Sequence, residues 1–219
     1  MKKFYITILL AMFGLSVFAQ SKNTKSDSDA IAILNAVSTK FKTFTTVQAA
    51  FAYKVEDAKG KIMSSKKGNV VMKGTKYRVS FGGQEIFSDG RTVWSYDKSA
   101  NEVTVNNLDA SGGTITPQKL FTNFYENDFY SVLNGEKKVG SKTIQEIEMT
   151  PKDKSKPFHK VYLQVDKTAK TIYSTKVLEN GGNRYTYTVS NMKTNGAVAD
   201  NQFAFDRSKY PGVEVVDLR

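Results

Sequence analysis

The chain has 219 residues, with 32 Lys and Arg against 21 Asp and Glu, a net charge of +11, one His and no Cys. The absence of Cys excludes disulfides, cysteine-ligated zinc, thiol catalysis and a lipidated N-terminal Cys, and a single His excludes a His-rich metal site. With 40% hydrophobic residues the chain can bury a core, and its length fits one all-β domain, which often runs to roughly 200–250 residues.

Met1-Lys2-Lys3 is a short basic start, and Phe4 to Phe18 is an uncharged apolar run. Val17 and Ala19 then stand at the −3 and −1 positions of a cleavage site, so residues 1–19 read as a signal peptide removed on export. The run is too short for a comfortable membrane span, which needs ~20 apolar residues. Residues 20–28 are polar and read as a flexible leader. Residues 29–219 are expected to form a single domain.

Asp27-Ser28-Asp29 offers an N-cap. Ile31, Leu34, Val37, Ser38 and Phe41 follow near helical spacing, with Lys40 and Lys42 at the far end. Acidic start and basic finish suit the helix dipole, so an amphipathic helix is predicted here. From Thr45 the period changes to two: Val47, Ala49, Phe51, Tyr53 and Val55 alternate with more polar neighbours, the mark of a strand with one buried face. Strands are then expected at about 61–73, 76–82, 84–88, 92–97 and 101–106, and again at about 129–133, 143–150, 158–166, 171–178 and 184–190. Asp57 to Gly60, Gly82-Gly83, Asp89-Gly90, Asn134-Gly135 and Asn180 to Asn183 supply turn chemistry. With 46–56 this makes eleven strands joined mostly by short turns, hence an antiparallel sheet that tends to curl or close. Between the two groups, Thr116-Pro117 can open a short helix whose Leu120, Phe121 and Phe124 share one face. The preceding Asp109 to Gly113 reads as a loop.

One face of the predicted strands is rich in rings: Phe51, Tyr53, Tyr77, Val79, Phe81, Ile86, Trp94, Tyr96, Tyr185 and Tyr187. Such a face is either filled by its own side chains or holds an apolar guest. Enzymatic chemistry is not expected. Carboxylates sit at turns or on outward strand positions, His159 has no evident partner, and neither a phosphate loop nor a nucleophile elbow is present. No cofactor is implied. The lysines are scattered rather than striped, so nucleic acid is not an expected partner. A weak attraction to anionic lipid headgroups stays open.

The segment Phe87 to Asp97, with Ser88-Asp89-Gly90, Trp94 and Tyr96, followed by Glu102 to Val105, resembles a recurring pattern of the LolA family of periplasmic lipoprotein carriers. Phe44 to Phe51, Lys73 to Arg78, Asn195 to Phe205 and Pro211 to Asp217 resemble further stretches of that family in the same order, over residues 29–217. The resemblance implies a mainly β fold, an eleven-stranded antiparallel half-open barrel with a lid of short α-helices. It implies a non-enzymatic periplasmic chaperone, acting as a monomer, that shields the acyl chains of lipoproteins on their way from the inner to the outer membrane. Its partners would be acylated lipoproteins and an inner-membrane ATP-driven exporter of the LolCDE type, with the outer-membrane acceptor left unspecified. Thr116 to Phe124 would be lid, with Leu120, Phe121 and Phe124 facing the cavity. Tyr77 would stand near the mouth. Lys73 would be the lid latch, where better-known members have Arg, and Gly74 replaces a Pro. The alternative is an acyl-sensing regulatory or hydrophobic-ligand-binding module on the same fold, RseB-like rather than a carrier.

Overall fold

The computed structural model describes residues 26–108 and 128–219. The predicted second helix, Thr116 to Phe124, and the signal peptide lie outside the described residues. Within the described residues the elements are one helix, α1 (Ser28–Lys42), and twelve strands. The first six are β1 (Thr46–Glu56), β2 (Ile62–Lys73), β3 (Lys76–Phe81), β4 (Gln84–Ser88), β5 (Thr92–Asp97) and β6 (Glu102–Asn107). The others are β7 (Phe129–Val139), β8 (Lys142–Pro151), β9 (Phe158–Asp166), β10 (Thr171–Glu179), β11 (Arg184–Thr194) and β12 (Glu214–Asp217), with two short 3-10 turns at Asp200–Phe203 and Arg207–Lys209. All twelve strands form one sheet in the order β12-β6-β5-β4-β3-β2-β1-β11-β10-β9-β8-β7. The order is open, with β12 and β7 at its ends, as a half-open barrel requires.

Three expectations are corrected. The described strands number twelve, not eleven. The extra one, β12, pairs parallel to β6 through Glu214 opposite Glu102 and Val215 opposite Val103; a parallel return needs no hairpin, so no turn signal announced it. Asn134-Gly135 is not a turn. The register shifts between Leu133 and Gly135, and β7 runs on as far as Val139, so the pair marks a bulge inside a strand. Finally, Ser26 and Asp27, inside the stretch read as leader, are bound to β7. Ser26 Oγ accepts from the Ser131 N–H at 3.0 Å, and the Asp27 N–H donates to the Ser131 carbonyl at 3.0 Å.

Asp27 also starts the helix. Its Oδ1 accepts from the Ala30 N–H at 2.6 Å, and its Oδ2 accepts from the Leu133 N–H at 2.8 Å. One carboxylate therefore caps α1 and occupies part of the open edge of β7. Asp29 in the first turn and Lys40 and Lys42 in the last complement the dipole as expected. The buried stripe Ala30, Leu34 and Val37 packs against Phe129, Ile147, Met149, Val161, Leu163, Val165 and Ile172. These belong to β7–β10, so α1 covers only that half of the sheet. Cross-strand pairing carries the same face onward: Leu163 stands opposite Thr175, Thr175 opposite Tyr187, and Tyr187 opposite Tyr53. Phe41 and Phe44, at and just beyond the end of α1, pack with Val47, Met72 and Tyr77 and bridge to β1–β4.

The opposite face of β3–β6 is clad by the C-terminal segment. Phe205 and Tyr210 pack against Trp94, Tyr96, Val103 and Val213, and Phe203 is fully buried. Tyr210 stacks on Phe205 at 4.5 Å and meets Tyr96 at 4.5 Å. Asp89 shapes the turn before β5 by accepting from the N–H groups of Arg91 and Thr92, both at 2.8 Å. Gly90 is required there, because its φ is +93° and a Cβ would stand 2.6 Å from Thr75 Oγ1.

Candidate functional site: an aromatic pocket beside the helix

Where α1 stops, the helix-bearing face of β1–β4 and β11 holds a hollow among the described residues. A cavity of about 270 Å³ is lined by Phe51, Tyr53, Val79, Phe81, Gln84, Ile86 and Tyr187. The register explains the convergence. Phe51 pairs with Val189 and Gly68, Gly68 with Phe81, Val79 with Ile86, and Phe81 with Gln84. Directly opposed residues share a face, so these side chains meet in two or three adjacent rows. Gly68 makes room for them: a Cβ there would lie 2.4 Å from the Phe51 ring and 2.6 Å from the Ser80 carbonyl oxygen. With no side chain at 68, the Phe51 ring can lie over β2 and stack on Phe81 at 5.7 Å.

Tyr53 sits at the centre of the ring cluster. It meets Phe81 edge-on at 5.3 Å, Tyr187 at 4.9 Å and Tyr185 at 6.1 Å. Burial first, and then the neighbouring Tyr187 and Tyr185, push its hydroxyl up to about 12. The neighbouring Tyr187 hydroxyl is likewise pushed up by burial. Both phenols therefore stay neutral, and the wall presents rings and uncharged hydroxyls. The ammonium of Lys66 stands 5.8 Å from the Phe81 ring centre. Among the described residues no group of three or more His, Cys, Asp and Glu is placed to hold a metal ion.

The structure brings together six of the predicted residues: Phe51, Tyr53, Val79, Phe81, Ile86 and Tyr187. Tyr185 stacks behind Tyr53 and donates its hydroxyl to Glu179 at 3.1 Å. Tyr77 is 4% exposed, in the core with Val47 and Met72 rather than at a mouth, and burial raises its hydroxyl pKa. Trp94 and Tyr96 are on the other face. Ile86 pairs with Ser95, while Trp94 pairs with Phe87 and Tyr96 with Glu85. The alternation of rings within β5 is real, but its parity is set by the β4–β5 turn, and it places both rings under the C-terminal segment. Leu120, Phe121 and Phe124 lie outside the described residues.

The expected lid that Lys73 would latch lies outside the described residues, and within them Lys73 contacts the C-terminal segment. Its ammonium pairs with Asp200 at 3.0 Å and donates to the Val198 carbonyl at 3.2 Å. Lys76 reaches the same carboxylate at 3.4 Å. The Lys73 hydrogen bond is the main cause that holds Asp200 below the usual carboxylate range. Lys73 thus tethers the first 3-10 turn of the C-terminal segment. Sequence reasoning missed Gln84 and Gly68. The Gly82-Gly83 turn could have found Gln84, since a two-residue hairpin turn pairs its flanking residues, here Phe81 and Gln84.

The described residues thus form an open β-sheet with a helix over one half and an aromatic pocket in the other. Residues 42–206 match the family described as "Outer membrane lipoprotein carrier protein LolA", and the chain belongs to that family. A relative named outer-membrane lipoprotein carrier protein, from Coxiella burnetii (strain CbuK_Q154), is 25% identical over 96% of this chain and 98% of its own. Another so named, from Cupriavidus pinatubonensis, is 30% identical, but the match spans 56% of this chain and 55% of that relative. Among solved structures, an uncharacterized conserved protein from Thermus thermophilus superposes with a TM-score of 0.59 at 15% identity, over 86% of this chain and 99% of that one. MucB superposes with a TM-score of 0.51 at 18% identity, over 87% of this chain and 66% of its own. These two likenesses concern the fold alone.

Proposed function

We propose that this protein is a periplasmic carrier that shields the acyl chains of lipoproteins in the pocket beside α1, between the inner and the outer membrane. The observation that carries the reading is the half of the helix-bearing face that no described element covers. Its Phe51, Phe81, Val79 and Ile86 side chains surround a cavity of about 270 Å³ where a purely structural core would be filled. Each CH₂ of an acyl chain gains ~0.8 kcal/mol on leaving water. A pocket of a few hundred cubic ångströms, near the lower end of the ~300–1,000 Å³ usual for small-molecule sites, takes part of one chain. Cargo with several chains requires the walls to part further.

Release matters as much as capture. The phenols of Tyr53 and Tyr187 make the wall less oily than an aliphatic one, which moderates affinity. The chain has no nucleotide motif, so the work of extraction falls to a partner, an ATP-driven exporter in the inner membrane. The N-terminal run fits export to the periplasm. Family membership and the named carrier relatives support this reading. The test is mass spectrometry of protein purified from its native periplasm, joined to depletion in cells. Co-purifying acylated peptides and lipoproteins stranded at the inner membrane are expected. Normal lipoprotein sorting after depletion would overturn the carrier role, and a bound free lipid without acylated peptide would point to a sensing module.

A further inference from the structure

We infer that the tip of the β1–β2 hairpin is a docking element for an anionic phospholipid surface. On one side β2 outruns its neighbour β3, while on the other β1 stays paired with β11 as far as Glu56 opposite Arg184. Gly68 pairs with Phe81, the last residue of β3, so residues 62–67 of β2 extend past the β3–β4 turn, by about 20 Å at the usual rise per residue. This projecting end carries Ile62, 57% exposed, and Met63, 63% exposed. The register shifts between Val55 and Glu56, leaving Met63 without a partner on β1. A bulge at that point re-aims a side chain away from the regular alternation. Neither residue belongs to a core cluster, and folding alone gives no reason for two large apolar side chains side by side in water.

The surrounding charge identifies the occupant. Lys59, Lys61, Lys66 and Lys67 flank the pair, are all exposed, and form no ion pair among the described residues. The acids nearby are engaged elsewhere. Asp57 Oδ1 accepts from the N–H groups of Lys59 and Lys61, both at 2.9 Å. Glu56 pairs with Lys54 at 3.1 Å, and Glu179 accepts from Tyr185. Arg184 braces the turn by donating to the Ala58 carbonyl at 3.0 Å, so the tip is held rather than frayed. Two exposed apolar side chains on a hairpin that carries exposed lysines on both sides of them in sequence match the layering of a membrane interface, acyl carbon beneath and phosphate above. An acidic protein surface would satisfy the lysines but leave Ile62 and Met63 in water or against polar groups. The tip stands two rows from Tyr53 along β1, so docking would bring the pocket close to the bilayer. The inference does not rest on the cargo reading, because the tip lies outside the cavity.

The chain has no Cys, so Met63→Cys can carry a single environment-sensitive nitrobenzoxadiazole dye. Ser141→Cys, in the turn between β7 and β8 at the far end of the sheet, carries the same dye as the control. Vesicles of phosphatidylglycerol are expected to shift the emission at 63 to the blue and leave 141 unchanged. With the dye at 63, Ile62→Ser should weaken apparent vesicle affinity several-fold. Lys59→Glu with Lys61→Glu should weaken it more than tenfold, as two charge reversals near an anionic surface imply. Added salt should weaken the parent likewise. Equal response at both dye positions, equal binding to phosphatidylcholine vesicles, or no response to lipid at all would each overturn the proposal; the last would leave the tip to a protein partner.

Discussion

Phe81 and Trp94 look alike in the sequence, each an aromatic in a short alternating strand, yet they do different work. Phe81 lines the cavity and stacks on Phe51. Trp94 packs under Phe205 and Tyr210 on the other face. Phe81→Asp should therefore weaken binding of a fluorescent fatty-acid probe roughly tenfold or more, by placing a charge against the guest, while the fold survives. Trp94→Asp should cost about 2 kcal/mol of stability and leave probe affinity in the folded protein near the parent's. Probe titration beside urea unfolding separates the two; a binding defect confined to Trp94→Asp would reverse the assignment of faces. Tyr53 gives a third residue-scale outcome. Its hydroxyl titrates near 12 in the folded chain against about 10 in the unfolded one. Below pH ~10 both states hold the proton and nothing is lost. Between about 10 and 12 only the unfolded chain ionises, so stability falls as pH rises through that window. Tyr53→Phe should flatten this part of the pH–stability curve, and ultraviolet difference titration should lose a late-ionising phenol.

At the scale of elements, Asp27 couples two pieces of structure with one carboxylate. It caps α1 through Ala30 and holds the edge of β7 through Leu133. Loss of an N-cap alone costs ~1 kcal/mol, and the Leu133 N–H would also lose its acceptor. Asp27→Ala should therefore lower the unfolding free energy by about 2 kcal/mol, read by urea denaturation, whereas Asp27→Asn should recover part of it. A change no larger than an ordinary exposed substitution would mean that water replaces both bonds. The Lys73–Asp200 pair works differently. Both side chains are substantially exposed, so it orients the C-terminal segment more than it stabilises it. That segment is what turns the Trp94 and Tyr96 face into a second core.

Over the whole molecule, one sheet carries two kinds of interior on the same face. Under α1 it is solid: Leu34 is 2% exposed, and Ile147, Met149 and Leu163 are fully buried. Beyond Phe41 and Phe44 it opens into the pocket. Leu34→Ala should cost about 2–5 kcal/mol by leaving a void in the solid half, yet probe affinity measured on the folded fraction should stay close to the parent's. Parallel losses of stability and affinity would show instead that the two halves act as one core.

Much of this was legible in local pattern. The helix with its acidic start, the alternation in β1, and the turns at Asp57, Gly82-Gly83 and Asp89-Gly90 are short-range effects of capping, pleating and φ > 0 chemistry. The ring-rich wall of Phe51, Tyr53, Phe81 and Tyr187 was visible for the same reason, since alternation alone puts those residues on one side of their own strands. Alternation cannot say which side of one strand continues which side of the next. That parity is fixed by how many residues each turn and bulge contains, and it sent Trp94 and Tyr96 to the opposite face. Nor can a local pattern place contacts between distant segments. Lys73 meeting Asp200, β12 lying parallel to β6, and Gly68 yielding its space to Phe51 arise only when the chain is packed, because each joins groups whose proximity no nearby residue encodes.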